Sequence, residues 1–284
     1  MSASQLPPFV SVSWLRSQPQ PEAGGPLRVD VRWSLDGSEG EATYLQGHLP
    51  GAVFVDLDTV LADPPDRERG RHPLPSPQRF ARELGAHGVP DDAPVVAYDQ
   101  GPGAAAARLV WMLRSIGQPA AVLDGGLAAW DGPLSSEPPA RRAVTRRVVD
   151  WPAQRLADTD EVAELTSSQG AVLLDAREPE RYAGVREPVD PRAGHIPGAR
   201  SAPVADNLDA GRLRSKEELR SRYAATGALE ADRVVVYCGS GVAACHDLLA
   251  LETLGVDAQL YLGSWSAWSA DPSRPAATGY DERS

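Results

Sequence analysis

Cys238 follows an apolar run of four residues and opens a short loop of small residues, Cys-Gly-Ser-Gly-Val-Ala at 238–243. The apolar run predicts a buried strand, and the Ala- and Leu-rich stretch after the loop predicts a helix. Gly239 and Gly241 allow backbone N–H groups to turn toward the sulfur atom, and the helix directs its positive end at the same atom. Both effects favour the thiolate, which is the nucleophilic form of cysteine. The pattern therefore predicts that Cys238 is a nucleophile rather than a packed structural cysteine.

Four motifs of the chain occur twice, in the same order and at a nearly constant spacing. The paired segments are 27–32 with 172–177, 47–52 with 194–199, 93–99 with 232–238, and 125–130 with 263–268. A repeat of this length indicates a duplicated domain rather than a short solenoid unit. Asp99 stands in the first copy where Cys238 stands in the second, and a carboxylate cannot perform thiol chemistry. We therefore expect one active copy and one inactive copy.

The repeated motifs are Asp-x-Arg, Gly-His-[Ile/Leu]-Pro-Gly-Ala and a late Gly-x-x-x-x-Trp, and the second copy adds the cysteine loop. This combination resembles the tandem-domain rhodanese sulfurtransferases over nearly the whole chain. The resemblance implies an α/β fold with two tandem rhodanese-like domains, each a mainly parallel sheet flanked by helices. We expect the inactive domain at 5–134, a solvated linker at 135–156 and the catalytic domain at 157–284.

Within that family the cysteine loop is similar to the 3-mercaptopyruvate sulfurtransferase branch. The thiosulfate-preferring branch typically carries Arg-Lys at the positions of Gly239 and Ser240, whereas Ala243 stands where both branches usually carry Thr. The implied activity is the transfer of a sulfane sulfur from 3-mercaptopyruvate to a thiol or another nucleophile through a Cys238 persulfide. Thiosulfate remains an alternative donor, because arginines outside the loop could bind it.

Two other functions compete with the sulfurtransferase: a phosphatase and a non-catalytic module. Rhodanese-like phosphatases use a longer cysteine loop that ends in an arginine, and Ala244 occupies that position here. A non-catalytic sulfur carrier or binding module would not need an intact Cys238. In the first copy, which we expect to be inactive, Asp99 has replaced the cysteine. We therefore favour the enzyme.

The resemblance also implies which residues contact the donor. Arg181 matches the family's substrate arginine, since a guanidinium binds a carboxylate through two parallel hydrogen bonds. The second arginine is either Arg186, which we favour, or Arg192, because the segment before His195 is shortened. The backbone of the loop would surround the sulfur at Gly239, Gly241, Val242 and Ala243.

A proton relay is implied by the same resemblance. Ser240 would act with His72 and Asp58, so that a hydroxyl, an imidazole and a carboxylate stand in series. The alternative is that Ser240 only fits the turn, His72 is a loop residue and Asp58 is a strand-end cap.

Other motif residues are expected to support the fold. We expect internal ion pairs within the two Asp-x-Arg motifs, and a structural turn at each His-[Ile/Leu]-Pro-Gly sequence. These residues are Asp30 with Arg32 and Asp175 with Arg177, and the histidines are His48 and His195.

Composition and charge limit which ligands, cofactors and compartments the chain is expected to have. The 284-residue chain has a net charge of −11, which argues against nonspecific nucleic-acid binding, and no apolar run approaches the roughly 18 residues of a membrane span. Its two cysteines and five histidines show no metal-ligand spacing, so we expect no metal and no other cofactor. Because a disulfide framework is not expected, we predict a cytoplasmic protein whose acceptor is a thiol, such as thioredoxin or a small thiol.

Overall fold

The structure is a computed structural model that describes residues 6–165, 168 and 170–280. The predicted domain limits at residues 5 and 284 lie outside the described residues. The chain divides into two compact units. The first unit contains the chain up to Asp63 together with Leu74–Pro152, and the second contains Pro64–Pro73 together with the chain from Ala153 onward.

The first unit is built on a five-stranded parallel sheet in the order β1-β5-β4-β2-β3. Its strands are β1 (Phe9–Val10), β2 (Leu27–Asp30), β3 (Val53–Phe54), β4 (Val95–Tyr98) and β5 (Ala120–Leu123). Its helices are α1 (Val12–Ser17), α2 (Glu41–Gln46), α3 (Leu57–Val60), α4 (Pro77–Ala86) and α5 (Ala104–Ser115).

The second unit repeats this plan with a parallel sheet in the order β6-β12-β11-β7-β8. The strands are β6 (Leu156–Ala157), β7 (Ala171–Asp175), β8 (Arg200–Ser201), β11 (Arg233–Tyr237) and β12 (Ala258–Tyr261), and β9 (Leu208–Asp209) pairs with β10 (Arg212–Leu213) in a separate hairpin. The helices are α6 (Thr159–Leu165), α7 (Pro179–Tyr182), α8 (Lys216–Ala225), α9 (Ala244–Leu254) and α10 (Ser264–Ala270). The predicted fold class is confirmed.

The central strand β11 places Cys238 at one edge of the second sheet. Its residues from Val234 to Tyr237 are buried, as expected for a parallel strand covered on both faces. β11 pairs with β7 so that Tyr237 lies opposite Asp175, the last residue of β7. Both strands therefore end at the same edge, where open α/β sheets bind their ligands.

The motif ion pairs are confirmed in both copies. Nε and Nη2 of Arg177 donate to the carboxylate of Asp175, with Nη2 2.6 Å from Oδ2, and Nη2 also donates to the Gly194 carbonyl. Arg32 makes the equivalent contacts with Asp30 and the Gly47 carbonyl.

The two motif histidines are also structural. Nδ1 of His195 lies 2.8 Å from the Tyr182 carbonyl oxygen, and the two rings stack with centroids 3.7 Å apart. His48 stacks on Tyr44 in the same way, with centroids 3.9 Å apart. These turns therefore fix the chain between a helix and the next strand in each copy.

The segment predicted as a solvated linker packs against the first unit for much of its length. Arg146 is buried, and its guanidinium donates to the carbonyls of Val89 and Pro90 and to the side-chain oxygen of Gln118. Trp151 donates its indole N–H to a carbonyl of the same unit at 2.8 Å. The expectation of a solvated connector is wrong for Arg146, because its guanidinium satisfies loop carbonyls that sequence periodicity does not reveal.

The short segment Pro64–Pro73 packs with the second unit. The backbone N–H of Arg71 donates to Ser266 Oγ at 3.0 Å, and Arg67 donates to the Ala270 carbonyl at 3.0 Å. Gly70 has φ +91°, and a Cβ there would lie 2.6 Å from the Gly263 carbonyl oxygen. This close approach requires glycine.

A buried polar cluster lies where α9 packs beside Asn207 and α8. Asp247 Oδ1 accepts hydrogen bonds from Asn207 Nδ2 at 2.6 Å and from the Tyr223 hydroxyl at 3.1 Å, while Oδ2 has no hydrogen-bond partner in the described part of the chain. Burial raises the pKa of Asp247 to about 6, although nearby Arg222 lowers it in part. A carboxyl whose pKa is raised in the folded state stabilises the fold most at low pH and loses this contribution as pH rises through the folded pKa.

We therefore predict that Asp247→Asn stabilises the protein relative to wild type as pH rises. The difference in unfolding free energy should change in favour of the variant by about 2 kcal/mol between pH 4 and pH 7. Urea denaturation at a series of pH values measures this, with the exposed Asp209→Asn as control. A difference that stays constant with pH would contradict the assignment.

Candidate active site

The cysteine loop is held from one side by the start of α10. The backbone N–H groups of Trp265 and Ser266 donate to the carbonyls of Cys238 and Gly239, both at 2.9 Å. The N–H of Cys238 donates in turn to Ser264 Oγ at 3.3 Å. These bonds connect the loop to the late Gly-x-x-x-x-Trp motif, so that motif positions the cysteine.

The sulfur atom accepts a hydrogen bond from the loop itself. Cys238 is 3% exposed, and the N–H of Gly241 points at its Sγ at 3.1 Å. Gly241 has φ +77°, a conformation that favours glycine and turns its N–H inward. α9 begins at Ala244, so the helix N-terminus follows the loop directly. The donor roles predicted for the N–H groups of Gly239, Val242 and Ala243 stay predictions.

The inactive copy shows what this type of loop binds. The Asp99 carboxylate accepts four backbone hydrogen bonds, from Gly101 and Gly103 on one oxygen and from Ala105 and Ala106 on the other, at 2.9–3.3 Å. Burial raises the pKa of Asp99, and the four hydrogen bonds oppose that rise. The loop therefore gathers N–H groups around an anion, and in the first unit its own side chain is the acceptor.

Two members of the predicted relay lie side by side. His72 Nδ1 is 2.7 Å from Ser240 Oγ, and both side chains are buried. Because His72 lies in the Pro64–Pro73 segment, it belongs to the second unit rather than the first. Asp58 is an exposed residue of the first unit whose Oδ2 accepts the indole N–H of Trp33 at 2.9 Å. Its role in the relay stays a prediction.

Arg181, the predicted substrate arginine, lies beside the loop. The position that a Cβ would take at Gly239 is 3.5 Å from Arg181 Nη1. The other nitrogens of Arg181 donate to carboxylates: Nη2 to Glu187 at 2.7 Å and to Asp190 at 3.0 Å, and Nε to Glu187 at 3.3 Å.

The two candidates for the second arginine are placed differently. The Arg186 side chain is 60% exposed and lies 4.0 Å from Glu180. Arg192 donates to four backbone carbonyls of residues 268–274, which makes it a structural clamp. Neither supplies the side-chain atoms nearest to Gly239, which belong to Arg71 and Arg181.

Arg71 is the residue that sequence reasoning missed. Its Nη2 is 3.1 Å from the position of a Cβ at Gly239, and its Nη1 donates to Asp190 Oδ1 at 2.6 Å. The available signal was its place immediately before His72, within a polar loop that already carried a predicted catalytic residue.

The carboxylates beside these arginines form an alternating chain of charges. Glu187 contacts both Arg177 and Arg181, and Asp190 contacts both Arg181 and Arg71. Burial raises the pKa of Glu187, but hydrogen bonds from Arg181 and from backbone N–H groups outweigh it and hold that pKa below its usual range. These carboxylates therefore hold the guanidinium groups in place.

These features define a loop that holds a buried cysteine at the edge of a parallel sheet, on a duplicated α/β fold. The rhodanese-like domain family model matches residues 12–132 and 158–271. This chain belongs to the rhodanese family, and the predicted tandem arrangement and sulfurtransferase class are confirmed by the relatives that follow.

Two curated relatives cover almost the whole chain. A probable 3-mercaptopyruvate sulfurtransferase of Pseudomonas aeruginosa is 44% identical over 264 residues, which are 89% of this chain and 92% of the relative. The putative thiosulfate sulfurtransferase SseB of Mycobacterium tuberculosis is 43% identical over 267 residues, which are 91% of this chain and 93% of the relative.

Solved structures agree with this assignment. The crystal structure of SseA from Escherichia coli, described as a 3-mercaptopyruvate sulfotransferase, is 32% identical with a TM-score of 0.75 and aligns over 92% of this chain and 99% of that chain. The 3-mercaptopyruvate sulfurtransferase of Leishmania major is 30% identical with a TM-score of 0.76 and aligns over 93% of this chain and 74% of that chain.

We predict that Ser240 and His72 act as a pair. Ser240→Ala and His72→Gln should each lower kcat by about a hundredfold, because each breaks the same proton path. The double variant should lose little more than either single variant. Steady-state kinetics measure this, with His87→Gln as control. Additive losses in the double variant would mean that the two residues act separately.

Proposed function

We propose that this protein is a 3-mercaptopyruvate sulfurtransferase that carries the sulfur as a persulfide on Cys238. The observation that carries the proposal is the buried Cys238 Sγ, which accepts the Gly241 N–H at the mouth of a loop without cationic side chains. The charge that recognises the donor comes instead from guanidinium groups beside Gly239.

The first half-reaction moves the sulfur onto the enzyme. The Cys238 thiolate attacks the sulfur of 3-mercaptopyruvate, so an S–S bond forms and the C–S bond breaks. The electron pair of the broken bond goes to the adjacent carbon and is delocalised as the pyruvate enolate. A proton then converts the enolate to pyruvate, and Ser240 with His72 would deliver it, since they lie 2.7 Å apart beside the cysteine loop.

The second half-reaction passes the sulfur to an acceptor. An acceptor thiolate attacks the outer sulfur of the persulfide, the new S–S bond forms on the acceptor, and Cys238 leaves as a thiolate. The Gly241 N–H and the N-terminus of α9 stabilise the anionic sulfur in both steps.

Thiosulfate remains the second candidate donor. The specific observation in its favour is that two guanidinium groups, from Arg71 and Arg181, lie next to Gly239 and supply the cations that the loop lacks. The chemistry at Cys238 would be the same, with sulfite as the leaving group.

The acceptor and the compartment are part of the proposal. A thiol such as thioredoxin or a small thiol would take the sulfur, and the cytoplasm would keep Cys238 reduced. Cys238 and Cys245 are both unbridged thiols. Within the described ranges, no helix is long and apolar enough to cross a membrane.

The first prediction of this proposal concerns the sulfur carrier. Cys238→Ser should abolish transfer, whereas Cys245→Ser should retain it, because Cys245 donates a hydrogen bond to the Gly241 carbonyl and serine can do the same. Intact mass after donor treatment should show one added sulfur that maps to Cys238. An added sulfur on Cys245 alone would refute the assignment.

The second prediction concerns donor choice. The wild-type protein should show a higher kcat/KM with 3-mercaptopyruvate than with thiosulfate, because a planar carboxylate matches a guanidinium and the loop has no cation for a dianion. Steady-state rates with both donors and one common acceptor thiol measure this. An equal or higher kcat/KM with thiosulfate would favour the second candidate.

A further inference from the structure

We propose that Ser264 is a positioning residue whose hydroxyl fixes the backbone of Cys238, and that its strained conformation is retained for that purpose. The inference deepens the proposed function and rests on it only for Cys238 as the sulfur carrier. It does not depend on which donor supplies the sulfur. Ser264 begins α10, and its side chain is buried.

The backbone conformation of Ser264 is unusual for a residue with a side chain. Its φ is +53°, in the left-handed region where a Cβ is strained. Within the described ranges, Ala210 is the other residue except glycine with a positive φ. Ala210 is exposed and lies with Gly211 in the two-residue turn between β9 and β10, where such turns require a positive φ. Ser264 instead follows β12 and begins α10, so a hairpin turn does not explain its conformation.

The first copy carries glycine at the matching position. Gly126 matches Ser264 in the repeated motif at 125–130 and 263–268, and its φ is +57°. A Cβ on Gly126 would lie 2.6 Å from the Asp99 carbonyl oxygen, so the first copy excludes a side chain there. The second copy holds a serine in nearly the same conformation. A strained residue therefore stands where the duplicated fold can use an unstrained one.

The backbone contacts of this turn are the same in both copies. In the first copy the N–H of Leu127 donates to the Asp99 carbonyl at 2.9 Å, and the N–H of the next residue donates to the carbonyl of the next loop residue at 3.2 Å. In the second copy Trp265 and the residue after it make the matching bonds to the cysteine loop. Glycine is therefore sufficient for these backbone bonds, and the serine hydroxyl is what the second copy adds.

The hydroxyl of Ser264 connects the cysteine to the neighbouring strand. Its Oγ accepts the N–H of Cys238 at 3.3 Å and donates to the carbonyl of Tyr261, the last residue of β12, at 2.9 Å. Cys238 follows β11, and β11 pairs with β12. The hydroxyl therefore joins the carboxyl ends of two adjacent strands at the residue that holds the sulfur. Without it, the buried Cys238 N–H would lose this acceptor, which is unfavourable.

Both backbone polar groups of Cys238 are held from the start of α10. Its N–H donates to Ser264 Oγ, and its carbonyl accepts the N–H of Trp265 at 2.9 Å. With both groups fixed, the side chain leaves the backbone in a defined direction, and Sγ lies 3.1 Å from the Gly241 nitrogen. Because each half-reaction of the proposed function passes through this sulfur, loss of the hydroxyl should slow both and leave donor affinity unchanged.

Amide hydrogen exchange tests the bond without turnover. The chain contains two cysteines, so protein labelled with heavy nitrogen in cysteine alone gives two amide signals, and Cys245→Ser identifies each. In Ser264→Ala the Cys238 amide should exchange about three- to tenfold faster than in wild type, relative to the Cys245 amide. The Cys245 N–H is the internal control, because it donates to the Val242 carbonyl instead. An unchanged ratio of the two exchange rates would overturn the inference.

Single-turnover loading of sulfur onto Cys238 tests the role in the reaction. Ser264→Ala and Ser264→Gly should each lower the maximal loading rate by about three- to tenfold, and by the same factor with 3-mercaptopyruvate and thiosulfate, because both variants lose the hydroxyl. The donor concentration that gives half the maximal rate should not change. Ser269→Ala is the matched control and should load sulfur at the wild-type rate. Ser269 is also buried on α10, but its Oγ has no hydrogen-bond partner among the described residues.

Unfolding in urea separates the hydroxyl from the backbone strain. Ser264→Gly should unfold at a higher urea concentration than Ser264→Ala, because glycine adopts a positive φ without strain. The two variants should nevertheless load sulfur at similar, reduced rates. A wild-type loading rate in Ser264→Gly would mean that the backbone alone suffices, and loading rates that follow the order of stability would mean a general structural role. Either result overturns the inference.

The outcomes distinguish this inference from the proposed function. If wild type loads sulfur from thiosulfate but not from 3-mercaptopyruvate, the proposed donor fails, and the loading rates with thiosulfate decide the role of Ser264. If wild type loads sulfur and both Ser264 variants load it at the wild-type rate, the proposed function stands and the role of Ser264 fails. If wild type loads sulfur from neither donor, the proposed function fails, and the exchange ratio decides whether Ser264 holds Cys238.

Discussion

The rest of this site depends on the burial of the Cys238 sulfur at the end of β11. Cys238 is 3% exposed, and an unpaired charge there would be strongly unfavourable without local compensation. The Gly241 N–H and the start of α9 provide that compensation from the backbone, so no cationic side chain is needed at the sulfur. This leaves the side chains around the loop available to recognise the donor.

The matching loop of the first copy also directs backbone N–H groups at a buried side chain. Four backbone N–H groups converge on the Asp99 carboxylate, at the position that matches Cys238. A loop that has been built around an anion needs an occupant, because buried N–H groups without acceptors destabilise the fold. A carboxylate meets that need permanently, whereas a thiolate meets it and can also react. The duplication thus retained the loop and changed the chemistry at one position.

Sequence reasoning succeeded where the determinants are local. The cysteine loop, the repeated motifs and the internal ion pairs are all set by residues close together in the chain, such as Asp175 and Arg177. Sequence reasoning failed for side chains whose contacts are distant in the chain. Arg71 meets Gly239 only through tertiary packing, and the shortened segment before His195 gave no means of seeing that Arg192 would bind backbone carbonyls instead. Arg146 was misjudged for the same reason, since two of its acceptors, the carbonyls of Val89 and Pro90, lie in loops more than fifty residues away.

The Pro64–Pro73 segment gives a physical reason for the first copy to persist without a cysteine. This segment follows α3 of the first copy, yet it packs with the second unit and brings both Arg71 and His72 to the cysteine loop. Its path depends on Gly70, whose φ of +91° and close approach to the Gly263 carbonyl admit no side chain. A separated catalytic copy would retain Cys238 and Arg181 but would lose the hydroxyl's imidazole partner and the second guanidinium. The sequence of the first copy therefore supplies two side chains, Arg71 and His72, that lie at the cysteine loop of the second unit.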